Sequence, residues 1–243
     1  MSSSTPTTSR REMLGQLAAT AVTLAGAAAC ASAPAAQPSQ ATQQPRPTDG
    51  AAPAPAAAAP KFDDSWAAKL EGAKHKAVFD APEIADGTIL ANVYVYLLSY
   101  GNVYGLQDAD IQPVLVIRHA AIPMALDDAM WEKYELGRHA KVKDPETGKW
   151  ARRNPFATEG VGAAKGMKGY SLQGLHERGA MLLGCNLAFM NQVGVIARRT
   201  KQERAAVREE LRAHLVPGLT LAHSGVFAVM RAQEAGCTYI RST

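Results

Sequence analysis

From about Lys61 to Thr243 the sequence predicts an α/β domain, a doubly wound, mainly parallel five-stranded sheet flanked by helices. Three observations predict it. Short apolar runs recur along the chain, and longer segments with apolar residues three and four apart stand between them. The run from Pro113 to Ile117 is continuous and β-branched, as expected of a strand buried on both faces of a parallel sheet.

Lys76 to Phe79 forms the first run, ending in Asp80-Ala81-Pro82. Leu90, Val93, Leu97 and Tyr100 then repeat at helical spacing, which predicts a helix from Gly87 to about Tyr104, stopped in the Gly105 region. Pro113 to Ile117 is the second strand, closed by Arg118-His119. Asp127 and Asp128 open a short helix that runs to Tyr134, with an acidic first turn that suits the helix dipole. Residues 138–170 carry Lys, Arg, Gly and Pro with little periodicity. They read as a long excursion rather than a core element, and as a flap near a binding site.

A helix is expected from Leu172 to Arg178, then a third strand from Ala180 to Gly184 that runs into Cys185-Asn186. The next helix spans Leu187 to about Leu215, with a break near Gly194. Pro217-Gly218 turns the chain into a fourth strand, Leu219 to Ala222, which ends in His223-Ser224-Gly225. The last helix, Val226 to Ala235, stops at Gly236, and Cys237 to Ile240 makes the final strand.

Ahead of this domain stand Arg10-Arg11 and then an uncharged, Ala-rich stretch from Gly15 to Ala33. A basic n-region followed by an apolar h-region reads as a secretion signal over residues 1–33, and the arginine pair makes it a twin-arginine signal, so the export machinery is an expected partner. Two processing routes stay open. Cleavage after the small residues Ala27-Ala28-Ala29 gives a periplasmic or otherwise exported protein, and lipidation of Cys30 gives one anchored at a membrane. Ala27 stands where a lipoprotein signal usually has Leu, which favours the first route. Residues 34–60 are mostly Ala, Pro, Gln, Ser and Thr, with Arg46 and Asp49 the only charges, and read as a disordered linker.

The formal charge of +4 comes partly from that arginine pair and otherwise from Lys and Arg scattered among Glu, so no nucleic-acid partner is expected. There is no Cys-x-x-Cys, no phosphate-binding glycine loop and no dinucleotide fingerprint, and no cofactor or metal is assigned. Cys185 and Cys237 stand in dissimilar settings, and their spacing does not indicate a disulfide.

Ligands of open parallel sheets bind beyond the carboxyl ends of the strands. Three such ends carry polar groups here: Arg118 with His119, Cys185 with Asn186, and His223 with Ser224. A cysteine just past a strand, in the first turn of a helix, has its thiolate favoured by the dipole, so Cys185 is the candidate nucleophile and the other five are candidate binding residues. A bland reading stands beside each. Cys185 can be a small packed residue, Asn186 and Ser224 can be helix caps, and the two histidines can be local hydrogen-bonding groups. Gly225 would allow a close approach, and Cys237, near a strand start, reads as core.

Gly179 to Asn186, then Leu215 to Leu219, then Ser224-Gly225 leading to Arg231 through Ile240 resemble the DsrE/DsrF-like family in order and spacing. The likeness covers roughly residues 74–243 and is strongest at the C-terminus. It implies a compact α/β fold, a persulfide held on Cys185, and assembly as a homotrimer or homohexamer. The export signal and the 138–170 excursion depart from the family's pattern. Two other functions remain open: a non-catalytic periplasmic module that binds a small ligand or metal, and an oligomeric structural protein with no catalytic activity.

Overall fold

The computed structural model describes residues 62–158 and 167–243. The secretion signal read at 1–33 with Cys30, the linker read at 34–60, and the middle of the excursion lie outside the described residues.

Five strands form one sheet: β1 (His75–Ala81), β2 (Ile111–Ile117), β3 (Met181–Cys185), β4 (Leu219–Ala222) and β5 (Thr238–Arg241). Their order is β4-β3-β2-β1-β5, and every pairing is parallel. The continuous apolar runs explain this. In β2, Ile111, Leu115 and Ile117 join one core while Val114 and Val116 join the other, so the strand needs cover on both faces.

The first face is covered by α1 (Thr88–Tyr104), α2 (Asp128–Lys133), α3 (Leu136–His139), α4 (Leu172–Glu177), α5 (Asn186–Thr200) and α6 (Arg204–Ala213). Ile89, Val93 and Leu97 of α1, Trp131 of α2, and Phe189 and Val193 of α5 pack there against Phe79, Leu115 and Ile117. The second face is thinner. Ala228 and Ala232 of α7 (Gly225–Glu234), with Trp66 and Leu70 from a 3-10 turn at Ser65–Leu70, cover Val78, Val114, Val116 and Leu183. Connections from β1 through β4 step along the sheet over the first face, and α7 returns over the second face to place β5 beside β1.

Three expectations are corrected. The long helix breaks at Lys201, not at Gly194: Lys201 takes a left-handed conformation, φ 56°, and ends α5. Gly194 lies within α5, where a Cβ would come within 3.9 Å of the Arg204 guanidinium. The excursion does contribute to the core. Ala151, Asn154 and Phe156 are buried, and the Asn154 side-chain amide donates to the carbonyls of Met124 and Leu126 at 2.8 and 2.7 Å. Gly137 lets this segment dock, since a Cβ there would sit 2.1 Å from the Ala151 carbonyl oxygen. Finally, β5 begins one residue later than Cys237, whose N–H still bonds back to Ala232 at the end of α7.

Candidate functional site

The chain leaves β3 toward the first face, into α5, and leaves β4 toward the second, into α7. Where neighbouring strands send their connections to opposite faces, a crevice opens beyond the strand ends. A cavity of about 690 Å³ lies there, lined among others by Arg118, His119, Cys185, Ser224 and Gly225. That size suits a small organic ligand.

Cys185 is 7% exposed and is the N-cap of α5, its Sγ accepting a hydrogen bond from the Ala188 N–H at 3.4 Å. Sulfur thus takes the place usually held by a Ser, Thr, Asp or Asn oxygen. Asn186, expected as a cap, is instead the first residue of α5 and is not part of the cavity wall. Ser224 caps α7, its Oγ accepting from the Phe227 N–H at 3.1 Å, and lines the cavity. Two helix N-termini therefore converge on the crevice and favour negative charge within it.

Arg118 is fixed by a residue that sequence reasoning did not select. Its Nε and Nη2 donate to the two carboxylate oxygens of Asp80 at 2.6 and 2.9 Å, and Tyr239 donates its hydroxyl to the same carboxylate at 3.0 Å. Asp80 is 2% exposed, so its charge is balanced within the protein. The hydrogen bond to Asp80 holds Arg118 above the ordinary guanidinium range, burial opposes this, and the charges of Asp80, Tyr239 and Cys185 add to it. Tyr239 is also raised, first by burial and then by its bond to Asp80. Gly225 makes the arrangement fit: a Cβ there would lie 2.5 Å from Arg118 Cβ and 2.7 Å from its Cδ.

His119 is exposed, lines the cavity and has φ 50°, a left-handed conformation that is uncommon outside glycine and that clusters at functional sites. His223 sits at its strand end but outside the cavity wall, edge-on to Phe62 at 5.1 Å and to Phe227 at 6.4 Å. The four of the six candidates that converge are Arg118, His119, Cys185 and Ser224. Cys237 is buried on the second face, where desolvation raises its thiol pKa, and both Cys185 and Cys237 are free. Asn191 and Gln192, further along α5, also line the cavity; their only sequence signal was their place one to two turns after Cys185. Among the described residues no group of three His, Cys, Asp or Glu side chains is arranged to hold a metal ion.

Fold and crevice together define a parallel α/β protein with a small-molecule-sized hollow at its switch point. No family model matches the chain, and no curated protein matches it. Among solved structures the chain is similar to the protein of unknown function MTH1491 from Methanobacterium thermoautotrophicum, at 14% identity, over 69% of this chain and 99% of that one, with a TM-score of 0.37.

Proposed function

We propose that this protein is an exported, DsrE-like sulfur carrier that holds a persulfide on Cys185. The observation that carries the reading is the position of that thiol. It caps the N-terminus of a 15-residue helix and lines the switch-point cavity together with Arg118. The N-terminus of a helix favours negative charge in the cavity, and the thiolate is the form that attacks sulfane sulfur. In loading, the Cys185 thiolate attacks a terminal sulfur of an inorganic polysulfide, the S–S bond to that sulfur breaks, the shortened chain leaves as a sulfide or polysulfide anion, and the persulfide forms on Cys185. In delivery, an acceptor thiolate takes the outer sulfur and the Cys185 thiolate departs.

Export follows from the twin-arginine signal read at residues 1–33, with the mature protein periplasmic, or membrane-anchored where Cys30 is lipidated. Association with further copies, which the resemblance puts at a homotrimer or homohexamer, is supported by Val226, Phe227 and Met230, large apolar side chains exposed on α7. The rival reading is a non-catalytic small-ligand module in which Cys185 serves only as a cap. Its 7% exposure and the hydrogen bond from Ala188 favour that rival.

Peptide mapping by mass spectrometry separates the two. The full chain carrying Cys30→Ser and Cys237→Ser is incubated with inorganic polysulfide. A gain of one sulfur atom on the Cys185 peptide, lost in Cys185→Ser, is expected. An unmodified Cys185 would leave the binding-module reading in its place. Light scattering on the same sample tests assembly, and a monomer would remove the oligomeric part of the proposal.

A further inference from the structure

A second hollow, of about 620 Å³, adjoins the cavity at Cys185. The two share His119, Ala120, Pro123 and Gln192, so a molecule lying against that common wall touches both. Each hollow alone is the size of a small-molecule site. The pair is therefore larger than an inorganic sulfur chain would need.

The second hollow differs from the first in its charges. Glu83 and Lys141 both line it, and neither side chain makes a hydrogen bond or ion pair among the described residues. His139 lies on the same wall. Burial first, and then Arg199 and Arg138, hold its imidazole below the usual range, so it is neutral at pH 7 and does not repel a cation. The His119 and Gln192 side chains on the shared wall are also without hydrogen-bond partners among the described residues. One unpaired anion, one unpaired cation and further hydrogen-bonding groups thus surround a space that opens beside a thiol.

We infer that the sulfur donor of this site is a low-mass peptide-type thiol persulfide with a free ammonium and a free carboxylate, its headgroup in the Glu83–Lys141 hollow and its sulfane sulfur at Cys185. This rests on the reading of Cys185 as the sulfur-carrying residue. Glu83 accepts from the ammonium, Lys141 donates to the carboxylate, and Gln192 hydrogen-bonds the amide of the stem. The Cys185 thiolate attacks the outer sulfur of R–S–SH. The bond between the two donor sulfurs breaks, R–S⁻ leaves, the proton stays on the transferred sulfur, and Cys185–S–SH forms without any external oxidant. A cysteine inside a protein chain brings neither terminal charge, so the opposite-sign pair favours the low-mass donor.

The test compares two donors on the full chain carrying Cys30→Ser and Cys237→Ser. One is glutathione persulfide; the other is the same persulfide with its amine acetylated and its carboxylates esterified. The KM for loading Cys185 is measured for each, and every rate is expressed relative to loading of the same protein by inorganic polysulfide. Because Glu83 and Lys141 are exposed, each contact is screened and contributes a factor of about five or less. The expected result is a KM about tenfold lower for the charged donor, with the advantage falling several-fold in Glu83→Gln and again in Lys141→Met. S-methylglutathione, which cannot react, should also slow iodoacetamide alkylation of Cys185 and lose that effect in the double variant. Equal KM values for the two donors, with polysulfide loading intact, overturn this inference alone. Loading by no donor at all overturns the sulfur-carrier reading and this inference with it.

Discussion

Asp80 is the residue on which the crevice depends most without lining it. Its carboxylate is 2% exposed and is satisfied by both arms of Arg118 and by Tyr239. Removing its charge leaves the guanidinium beside a neutral amide that cannot accept both bonds. Breaking a buried pair from one side costs about 3–5 kcal/mol, and since the Arg118 side chain is 27% exposed, water recovers part of this. Asp80→Asn is expected to lower unfolding stability by roughly 2–3 kcal/mol in urea titrations with unchanged slope. Stability within about 0.5 kcal/mol of the parent would mean that solvent already compensates Arg118. Gly225→Ala attacks the same arrangement sterically, because the new Cβ would meet the Arg118 stem at 2.5 Å, and a loss of about 1–3 kcal/mol is expected from the same titration. The placement of Arg118, His119, Cys185 and Ser224 at one cavity wall was legible in the sequence because a strand end in a parallel sheet is itself a positional signal. Asp80 was not, because its partner Tyr239, distant in sequence, is brought beside it only by the β1–β5 pairing. His223 misled for the complementary reason: strand ends place a backbone, while the ring turned to Phe62 and Phe227.

At the level of elements, those with a strong apolar period were legible nearly to the residue, as α1 shows by ending at Gly105. The excursion was not, because a segment dense in charge hides its few anchors. Asn154 is the strongest of them. Besides its two bonds to the Met124 and Leu126 carbonyls, its Oδ1 accepts from the Phe156 N–H at 3.0 Å, and its own N–H reaches Asp128 at 2.8 Å. A side-chain truncation strands two buried carbonyls and one N–H, so Asn154→Ala is expected to cost about 2–4 kcal/mol. The loss should be local as well as global. Amide hydrogen exchange should speed up across 142–158 more than in β2 or α5. Uniform acceleration would show that the excursion unfolds only with the whole domain. The break after α5 escaped notice because Lys201, not a glycine, takes the left-handed conformation, at an unfavourable position that side-chain chemistry does not announce.

Across the whole molecule, the two faces of the sheet carry unequal loads, and their ionisable groups set the pH limits of stability. The thin second face buries Cys237, whose pKa is raised by desolvation against a smaller opposing effect of Lys76. In the unfolded chain a thiol ionises near about 8.5, so above that pH the unfolded state has lost a proton that the folded state retains, and stability falls as pH rises. On the first face Tyr96 is raised in the same direction, by burial first, but an unfolded phenol ionises only near about 10. The signs reverse in acid. His139 is lowered, so below about 6.5 the unfolded chain takes up a proton that the folded protein does not, and stability falls with falling pH. Glu210, lowered by hydrogen bonds from Lys133 and Tyr134, adds a second fall below about 4.3. Urea midpoints measured against pH should therefore be highest between roughly 6.5 and 8.5. Cys237→Ala also leaves a small void, which lowers the curve at every pH, so the diagnostic is its shape and not its height. The decline between about 8.5 and 10 should flatten in Cys237→Ala while the acid side is unchanged. A parallel displacement of the whole curve, with the alkaline decline intact, would show that the thiol ionises alike in both states and that the second face admits water at Cys237.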